Sequence, residues 1–299
     1  MRVFYSDVFD LNLPAGHRFP GRKYGMLRRK LVDDSVLRAD ELILSPAAAD
    51  ADLQRAHDPA YVAAIDDGSI EPKAMRRIGF PWSPQIPKRA RATIGGAVAA
   101  ARAALDDGIS GQLAGGTHHA HYDFGAGYCV FNDFAVAALA LLAERRLARV
   151  AIIDLDVHQG DGNAAILGPR PDVFVMSVHG EKNFPFRKPP SDLDVALPDG
   201  AGDEAYLAAV ERALPAVFAF RPDLALYQAG VDPLKEDRLG RMDLSSGGLM
   251  RRDQMVLGAC RAAGVPVSMA IGGGYAKPIE KSVEAYANTY RVAKETFAV

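Results

Sequence analysis

Cysteine is scarce in this chain, with only Cys129 and Cys260 among 299 residues. Two isolated cysteines are too few for a disulfide framework, and they lack the spacing of a thiolate zinc site. The sequence therefore excludes a small fold stapled by disulfides and a zinc centre built on cysteine.

An excess of one charge and long apolar runs are missing as well. The formal net charge is −2, which argues against the electrostatic footprint of a nucleic-acid or membrane-binding protein. The basic run at 22–30 predicts a solvated helix face. No apolar run approaches the roughly 18 residues of a membrane span, and the N-terminal segment lacks the apolar core of a signal peptide. We expect a cytoplasmic protein, with no direct nucleic-acid partner and with oligomerisation left open.

The composition is that of a large globular fold, since 49% of the residues are hydrophobic and 24% are charged. No linker, repeat or low-complexity tract divides the chain, so a single domain is expected over residues 1–299. Near-continuous apolar runs predict buried parallel strands. These runs lie at 149–157, 172–179, 223–230 and 266–274, with weaker candidates at 2–6 and 41–45.

Helix-like stretches alternate with these strands, which predicts an α/β fold: an open, mainly parallel sheet with helices on both faces. The expected helices span 89–107, 131–147, 203–219, 246–263 and 279–296. Long non-periodic segments are interpreted as ordered loops, where function concentrates. They lie at 7–20, 69–88, 115–130 and 180–200.

Three ionisable residues follow an apolar strand in the segment IIDLDVHQGDG, residues 152–162. Asp154, Asp156 and His158 are spaced by two, so an extended backbone would project all three from one face. Burying such groups together is costly unless a cation or charged partners compensate. Asp156 and His158 are therefore predicted to bind a divalent metal, with Asp154 in a supporting role. A strand-end Asp beside a solvated His is the alternative.

Asp232 is the third candidate ligand, because it follows the strand predicted at 223–230. In open α/β sheets, sites form beyond the carboxyl ends of the strands. An Asp before Pro also commonly forms a turn, which is the alternative for Asp232. Two carboxylates and one imidazole suit Zn²⁺ or Fe²⁺.

Adjacent histidines occur in the segment GGTHHAHYDFG, residues 115–125. His118 and His119 could face one site only from an irregular loop, which the preceding glycines allow. Metal-assisted hydrolysis needs a base and an acid, and catalytic histidines need orienting partners. Asp154 and Asp161 are the available carboxylates, so a proton-transfer pair is predicted. A metal site or incidental surface polarity is the alternative. His121 is expected to lie on the surface, and no metal-like spacing surrounds the other histidines: His17, His57 and His179.

Tyr275 follows three glycines in the segment IGGGYAKP, residues 271–278. The glycines lack the G-x-G-x-x-G spacing of a dinucleotide site. At the expected sheet edge, the Tyr275 hydroxyl could stabilise a developing oxyanion. Simple packing is the alternative.

The order of these motifs resembles the histone deacetylase family, which shares its fold with arginase. The resemblance spans essentially the whole chain, and segments 13–31 and 182–206 are most similar to bacterial members near the class IV deacetylases. The motifs are, in order, GGTHHAHYDFGAGYCVFND, DLDVHQGDG, SVH, AGVDP and GGGYA.

The resemblance implies that the three candidate ligands bind catalytic zinc. His119, paired with Asp161, would act as general base and then as acid. His118, paired with Asp154, would stay largely electrostatic. Tyr275 matches the tyrosine that polarises the amide carbonyl together with the metal.

The resemblance also implies substrate-binding residues and a second ion. Gly127 matches the glycine whose carbonyl contacts the substrate amide N–H. Tyr128 and Phe184 match the aromatic walls of the acyl-lysine channel, with Tyr128 in place of the more usual Phe. A structural potassium ion is implied at a set of side-chain and backbone positions: Asp154, Asp156, His158, Ser177 and Val178.

These observations predict a metal-dependent amidohydrolase that removes acetyl or other acyl groups from lysine side chains of proteins or peptides. Acetylpolyamine or other small-amine hydrolysis is the alternative, kept open by Glu236 and Asp237 just after Asp232. A non-catalytic acyl-lysine binding protein would be favoured by loss of Tyr275, a histidine or a metal ligand, and none is missing. Arginase-like chemistry would need more Asp ligands.

Overall fold

The computed structural model describes residues 1–299, and its centre is one eight-stranded sheet in which every strand pairing is parallel. The strand order is β2-β1-β3-β8-β7-β4-β5-β6. This confirms the expected open parallel α/β sheet. The strands are β1 (Arg2–Tyr5), β2 (Leu42–Leu44), β3 (Ile109–Gln112), β4 (Val150–Asp154), β5 (Val173–Gly180), β6 (Leu193–Leu197), β7 (Leu224–Gln228) and β8 (Val267–Ala270).

Two of the strands were not predicted. β3 reads Ile-Ser-Gly-Gln, too polar and too short for an apolar-run rule, yet all four residues are buried between β1 and β8. β6 lies inside the segment expected to be a loop, and it pairs with β5 at the edge of the sheet. Tertiary pairing supplies the hydrogen bonds that make these short segments strands.

The helices follow the apolar periodicity closely where it is long. The ranges 203–219 and 246–263 are confirmed, while the helix expected at 89–107 begins at Gln85. The segment 69–88 was wrongly expected to be a loop throughout, since a helix over Pro72–Ile78 lies within it. The helices are α1 (Arg22–Asp33), α2 (Asp50–Leu53), α3 (Pro59–Asp67), α4 (Pro72–Ile78), α5 (Gln85–Asp107), α6 (Asp133–Ala143), α7 (Asp161–Leu167), α8 (Asp203–Ala219), α9 (Ser246–Ala263) and α10 (Glu280–Phe297).

Helices cover both faces of the sheet, and β4 shows how. Ala151 and Ile153 belong to a core of 47 buried residues that includes α8, α9 and α10. Val150 and Ile152 belong to a second core of 34 buried residues that includes α5 and α6. Alternate side chains of a strand point to opposite faces, so β4 contributes to both cores, and its one polar residue, Asp154, lies at its carboxyl end.

The basic run at 22–30 forms the start of α1, but it is not simply a solvated face. Lys23 is 2% exposed and Tyr24 is also buried. The expectation of a solvated face was wrong here because α1 packs one side against α10. No helix has the length and apolarity needed to cross a membrane.

Candidate active site

Four neighbouring strands deliver the candidate residues to one edge of the sheet. β3, β8, β7 and β4 are neighbours in the sheet in that order. The segment after β3 carries His118 and His119, and the segment after β8 carries Tyr275. Asp232 follows β7, and the pair Asp156 and His158 follows β4. Parallel strands all end at the same edge, so residues far apart in the chain meet there.

The three candidate metal ligands converge on a small volume. One ligand atom from each of Asp156, His158 and Asp232 lies within 4.8 Å of the others. Nδ1 of His158 lies 3.0 Å from Oδ1 of Asp156 and 3.1 Å from Oδ2 of Asp232. Two carboxylates and an imidazole at such separations suit a divalent metal ion.

The route by which these ligands converge differs from the expected one. β4 ends at Asp154, so Asp156 and His158 lie on a loop and do not share a strand face with Asp154. The extended-backbone argument was therefore wrong. The carboxylate of Asp154 accepts the N–H of Asp156 at 3.2 Å, and that of Asp156 accepts the N–H of His158 at 3.0 Å. These local bonds coil the loop and turn its side chains toward one point.

Both carboxylates of the triad are also held from distant segments. Asp232 accepts the N–H of Val157 at 2.9 Å, and Asp156 accepts the N–H of Gly273 at 2.7 Å. Burial and the neighbouring Asp156 carboxylate raise the pKa of Asp232. A buried pair of carboxylates with one imidazole carries negative charge that a divalent cation would neutralise, so the donor set fits a metal.

The adjacent histidines each face a separate carboxylate. Nδ1 of His118 lies 2.8 Å from Oδ2 of Asp154, and Nδ1 of His119 lies 2.6 Å from Oδ1 of Asp161. Their ring centroids are 4.1 Å apart. A carboxylate only accepts hydrogen bonds, so both rings carry hydrogen on Nδ1 and leave Nε2 for the site.

The loop before the histidines is held by one aspartate. Gly115 and Gly116 have φ values of +85° and +72°, which only glycine adopts readily. Asp133 accepts the N–H groups of Gly116 at 2.8 Å and Thr117 at 2.9 Å. This irregular but anchored backbone lets two consecutive side chains face the same cavity.

The two adjacent histidines differ in pKa because their electrostatic surroundings differ. Burial alone would lower the pKa of His118, but the carboxylates of Asp154 and Asp156 outweigh it and raise that pKa to about 9. Burial and the positive charge of His118 lower the pKa of His119 to about 4, although Asp161 acts in the opposite direction. The pKa values of the two rings are therefore shifted in opposite directions, and such a separation is what acid–base chemistry uses.

Tyr275 is held by two groups that sequence reasoning did not associate with it. The carboxylate of Asp237 accepts its backbone N–H at 2.5 Å. Nζ of Lys23 donates to the carbonyl of Gly274 at 3.2 Å and lies 5.2 Å from the Tyr275 ring centroid. Burial raises the pKa of the Tyr275 hydroxyl, so it remains a hydrogen-bond donor. No sequence pattern pointed to Lys23, which lies 252 positions away in the chain (275 − 23).

A cavity of about 370 Å³ rises from the triad to the surface. The Phe184 ring lies edge-on to His119 with centroids 4.9 Å apart, and Tyr128 stacks with Tyr275 at 6.0 Å. Gly127 has a φ of +55°, and a Cβ there would lie 2.8 Å from the His119 ring. Other lining residues that sequence reasoning missed include Phe80 and Arg89.

The residues of the implied potassium site also lie together in the fold. Ser177 on β5 pairs in register with Asp154 on β4, and both are buried. Val178 follows on β5, while Asp156 and His158 lie on the loop after β4. The Ser177 hydroxyl bonds Nδ1 of His179 at 2.9 Å.

The expectation that His121 lies on the surface was wrong. The His121 side chain is 18% exposed, and its Nε2 lies 2.9 Å from Oδ2 of Asp161. The loop folds back on itself through the His121 N–H, which donates to the Phe124 carbonyl at 2.8 Å. Asp237 is committed to backbone N–H groups, and neither Glu236 nor Asp237 lines the cavity.

The fold and this edge define a class of protein: an open, parallel α/β sheet that carries a candidate metal triad beside two His–Asp pairs. The family model described as the histone deacetylase domain matches residues 17–290. The chain therefore belongs to the histone deacetylase family, a family of deacetylases and amidohydrolases.

Several known proteins resemble this chain. An uncharacterized protein of Picosynechococcus sp. is 40% identical, with 99% of each chain covered. The histone deacetylase-like amidohydrolase of Pseudomonas aeruginosa is 35% identical over 83% of this chain and 70% of its own. Acetylpolyamine amidohydrolase 1 of the same organism is 31% identical over 53% of this chain and 48% of its own. The crystal structure of a histone deacetylase homologue complexed with SAHA has a TM-score of 0.85 at 25% identity, covering 100% of this chain and 88% of that one.

Proposed function

We propose that residues 1–299 form one catalytic domain that removes acetyl or other acyl groups from lysine side chains. One observation carries the proposal: the candidate metal triad, the two adjacent histidines His118 and His119, and Tyr275 line the same cavity. Each is a group that metal-assisted amide hydrolysis uses.

Asp156, His158 and Asp232 would hold the metal, with Zn²⁺ as the proposed ion and Fe²⁺ as the alternative. When bound, such an ion polarises an amide carbonyl and lowers the pKa of water. The two carboxylates accept backbone N–H groups of Val157, His158 and Gly273, which hold them in place around the site.

His119 is the proposed general base. Its neutral ring donates Nδ1–H to Asp161 and leaves Nε2 free to take a proton from the attacking water. The protonated ring then returns that proton to the departing amine. His118 stays protonated beside Asp154 and acts through its charge.

Tyr275 is proposed to donate its hydroxyl hydrogen to the substrate carbonyl oxygen as negative charge develops there. The Gly127 carbonyl would accept the substrate amide N–H. Tyr128 and Phe184 would flank the lysine methylene chain, since both rings line the cavity. The Phe184 ring lies beside His119, and the Tyr128 ring lies beside Tyr275.

A structural potassium ion is also proposed, held by Ser177 and Val178 of β5 and by Asp154, Asp156 and His158. Hydroxyl, carboxylate and carbonyl oxygens are the ligands that hard cations prefer. The register that pairs Asp154 with Ser177 supports the proposal. Such an ion would tie the carboxyl ends of β4 and β5 beneath the metal ligands.

Hydrolysis of an acetyl-lysine reporter tests the proposed function. We expect turnover that a chelator abolishes and that Zn²⁺ or Fe²⁺ restores, and the ratio of the two restored rates identifies the better metal. Tyr275→Phe should lower kcat by about 10²-fold with unchanged metal content, because one oxyanion donor is lost. Tyr24→Phe, which removes a hydroxyl from the same cavity, is the matched control.

Full activity of Tyr275→Phe would refute the role given to Tyr275. Stoichiometric bound metal without turnover on acetyl-lysine, longer acyl-lysine and acetylpolyamine substrates would favour the non-catalytic binding protein instead.

A further inference from the structure

Asp161 is shared between two histidines. Its Oδ1 lies 2.6 Å from Nδ1 of His119, and its Oδ2 lies 2.9 Å from Nε2 of His121. Both bonds run to a carboxylate, which only accepts hydrogen bonds, so each histidine donates a hydrogen to its own oxygen.

We propose that His121 is a positioning residue, which fixes the carboxylate of Asp161 and through it the orientation and tautomer of His119. The inference rests on the proposed function for the statement that His119 is the base. The hydrogen bonds of the Asp161 carboxylate to His119 and His121 do not depend on which reaction the protein catalyses.

His121 is itself held rigidly enough to serve this purpose. Its backbone carbonyl accepts Nδ1–H of His57 at 2.9 Å. Its ring stacks on Phe124 with centroids 4.3 Å apart and planes 18° apart. The Arg77 guanidinium also packs over Phe124, with Cζ 3.5 Å from the ring centroid. A ring held by stacking and by its backbone donates in one fixed direction.

Asp161 has few other restraints on its carboxylate. It is the first residue of α7, and its backbone N–H donates to the Gln159 carbonyl. The last torsion of an aspartate side chain is broad and roughly two-fold. Without His121, rotation about that torsion would move Oδ1 away from His119, and the base would lose the acceptor that keeps hydrogen on Nδ1.

The substitutions His121→Ala and His121→Gln test this role. We expect His121→Ala to lower kcat about ten-fold and to leave KM within about two-fold, because supporting hydrogen bonds act on the reacting group and not on substrate binding. His121→Gln should keep most of the activity, since its terminal amide can donate near the position of Nε2. If His121→Ala does not fold, His121→Asn replaces it, because its shorter amide cannot reach Asp161.

A double-mutant cycle separates positioning from a general structural effect. If His121 acts through Asp161, His121→Ala should cost nothing further in an Asp161→Ala background. An undiminished ten-fold loss in that background would overturn the proposal, as would unchanged kcat in the single variant or a glutamine variant as impaired as alanine.

Imidazole ¹⁵N NMR provides a readout that is independent of activity. In the wild type, His119 should show a single tautomer with hydrogen on Nδ1, and His121→Ala should show a mixture. An unaltered His119 spectrum in the variant would overturn the positioning role. A wild type inactive on every acyl substrate would refute the proposed function, while this spectrum would still decide the role of His121.

Discussion

At the scale of single residues, the histidines show how far surroundings control protonation. His118 and His57 are both buried, yet the pKa of His118 is raised to about 9 and burial lowers that of His57 to about 4. The difference is the partner: carboxylates lie beside His118, whereas both hydrogen-bond partners of the His57 ring are backbone groups. Nε2 of His57 accepts the Asn132 N–H at 2.8 Å, and Nδ1 donates to the His121 carbonyl.

Protonation of His57 should therefore destabilise the folded protein, because a hydrogen on Nε2 would oppose the Asn132 N–H. The ordinary histidine pKa is 6.5 and the folded value is about 4. Between these pH values the unfolded chain binds a proton that the folded protein excludes, so the free energy of unfolding falls as the pH falls. The contribution is fully present above pH 6.5, and its loss by pH 4 is at most about 3 kcal/mol.

Urea unfolding of the wild type and His57→Gln between pH 7 and pH 4.5 measures this contribution. The slope of the unfolding free energy against pH should be shallower in the variant but not zero, because burial also lowers the pKa of His119 and His179 to about 4. Identical slopes in the two proteins would contradict the assignment.

At the scale of elements, the longest helix approaches the backbone beside it very closely. A Cβ on Gly95 of α5 would overlap the Pro46 carbonyl oxygen, and one on Gly96 would lie 2.5 Å from the Ser45 hydroxyl. Glycine costs a helix interior about 1 kcal/mol relative to alanine. In α5 that cost is offset by close packing of the helix against segment 45–48.

Two glycine-to-alanine substitutions separate packing from propensity. Gly95→Ala should destabilise the protein by about 1–3 kcal/mol, because the new methyl group has no space. Gly258→Ala in α9, where nothing lies within 4 Å of the new Cβ, should be neutral or stabilising by up to about 1 kcal/mol. Equal unfolding free energies for the two variants in urea would show that the space between α5 and Pro46 is not too small for an additional methyl group.

At the scale of the whole molecule, the balanced net charge of −2 hides an uneven distribution around the cavity. The only acidic residues in the cavity lining are the candidate ligands Asp156 and Asp232. Four cationic side chains line the same space: Lys23, Arg89, Lys182 and Arg241. A polycationic substrate would meet repulsion there, while a neutral acyl-lysine within a peptide would not.

This distribution predicts a choice between the two substrate classes. We expect kcat/KM for an acetyl-lysine peptide to exceed that for an N-acetylated polyamine by at least about ten-fold at low salt. Lys182→Glu should narrow that ratio, and the remote, exposed Arg212→Glu of α8 should leave it unchanged. Added salt should also narrow it, because exposed charges are screened. A polyamine preferred at low salt would favour the alternative function.

How much the sequence predicted depends on the range of the interactions involved. The apolar runs of β4 and β7 and the periodicity of α8 and α9 are local patterns, and they identified these elements directly. β3 and β6 have weak local patterns and become strands only through their neighbours in the sheet.

In the candidate site, too, local patterns predicted some features and tertiary contacts decided the others. The types and order of the motif residues determined the family and the candidate ligands, because this chemistry needs these side chains after successive parallel strands. The inference that Asp156 and His158 share a strand face was wrong. The local hydrogen bonds that end β4 leave no periodic pattern in the sequence from which the turn could be predicted.

By itself, the sequence determined the apolar strands, the longer helices and the set of candidate site residues, all of which depend on short stretches of chain. Only the tertiary structure decided which groups meet. It placed His121 on Asp161, Lys23 beneath the loop of Tyr275, and cations around the cavity. These contacts join residues 40 and 251 positions apart, and no local pattern encodes a contact that exists only once the sheet has brought its strand ends together.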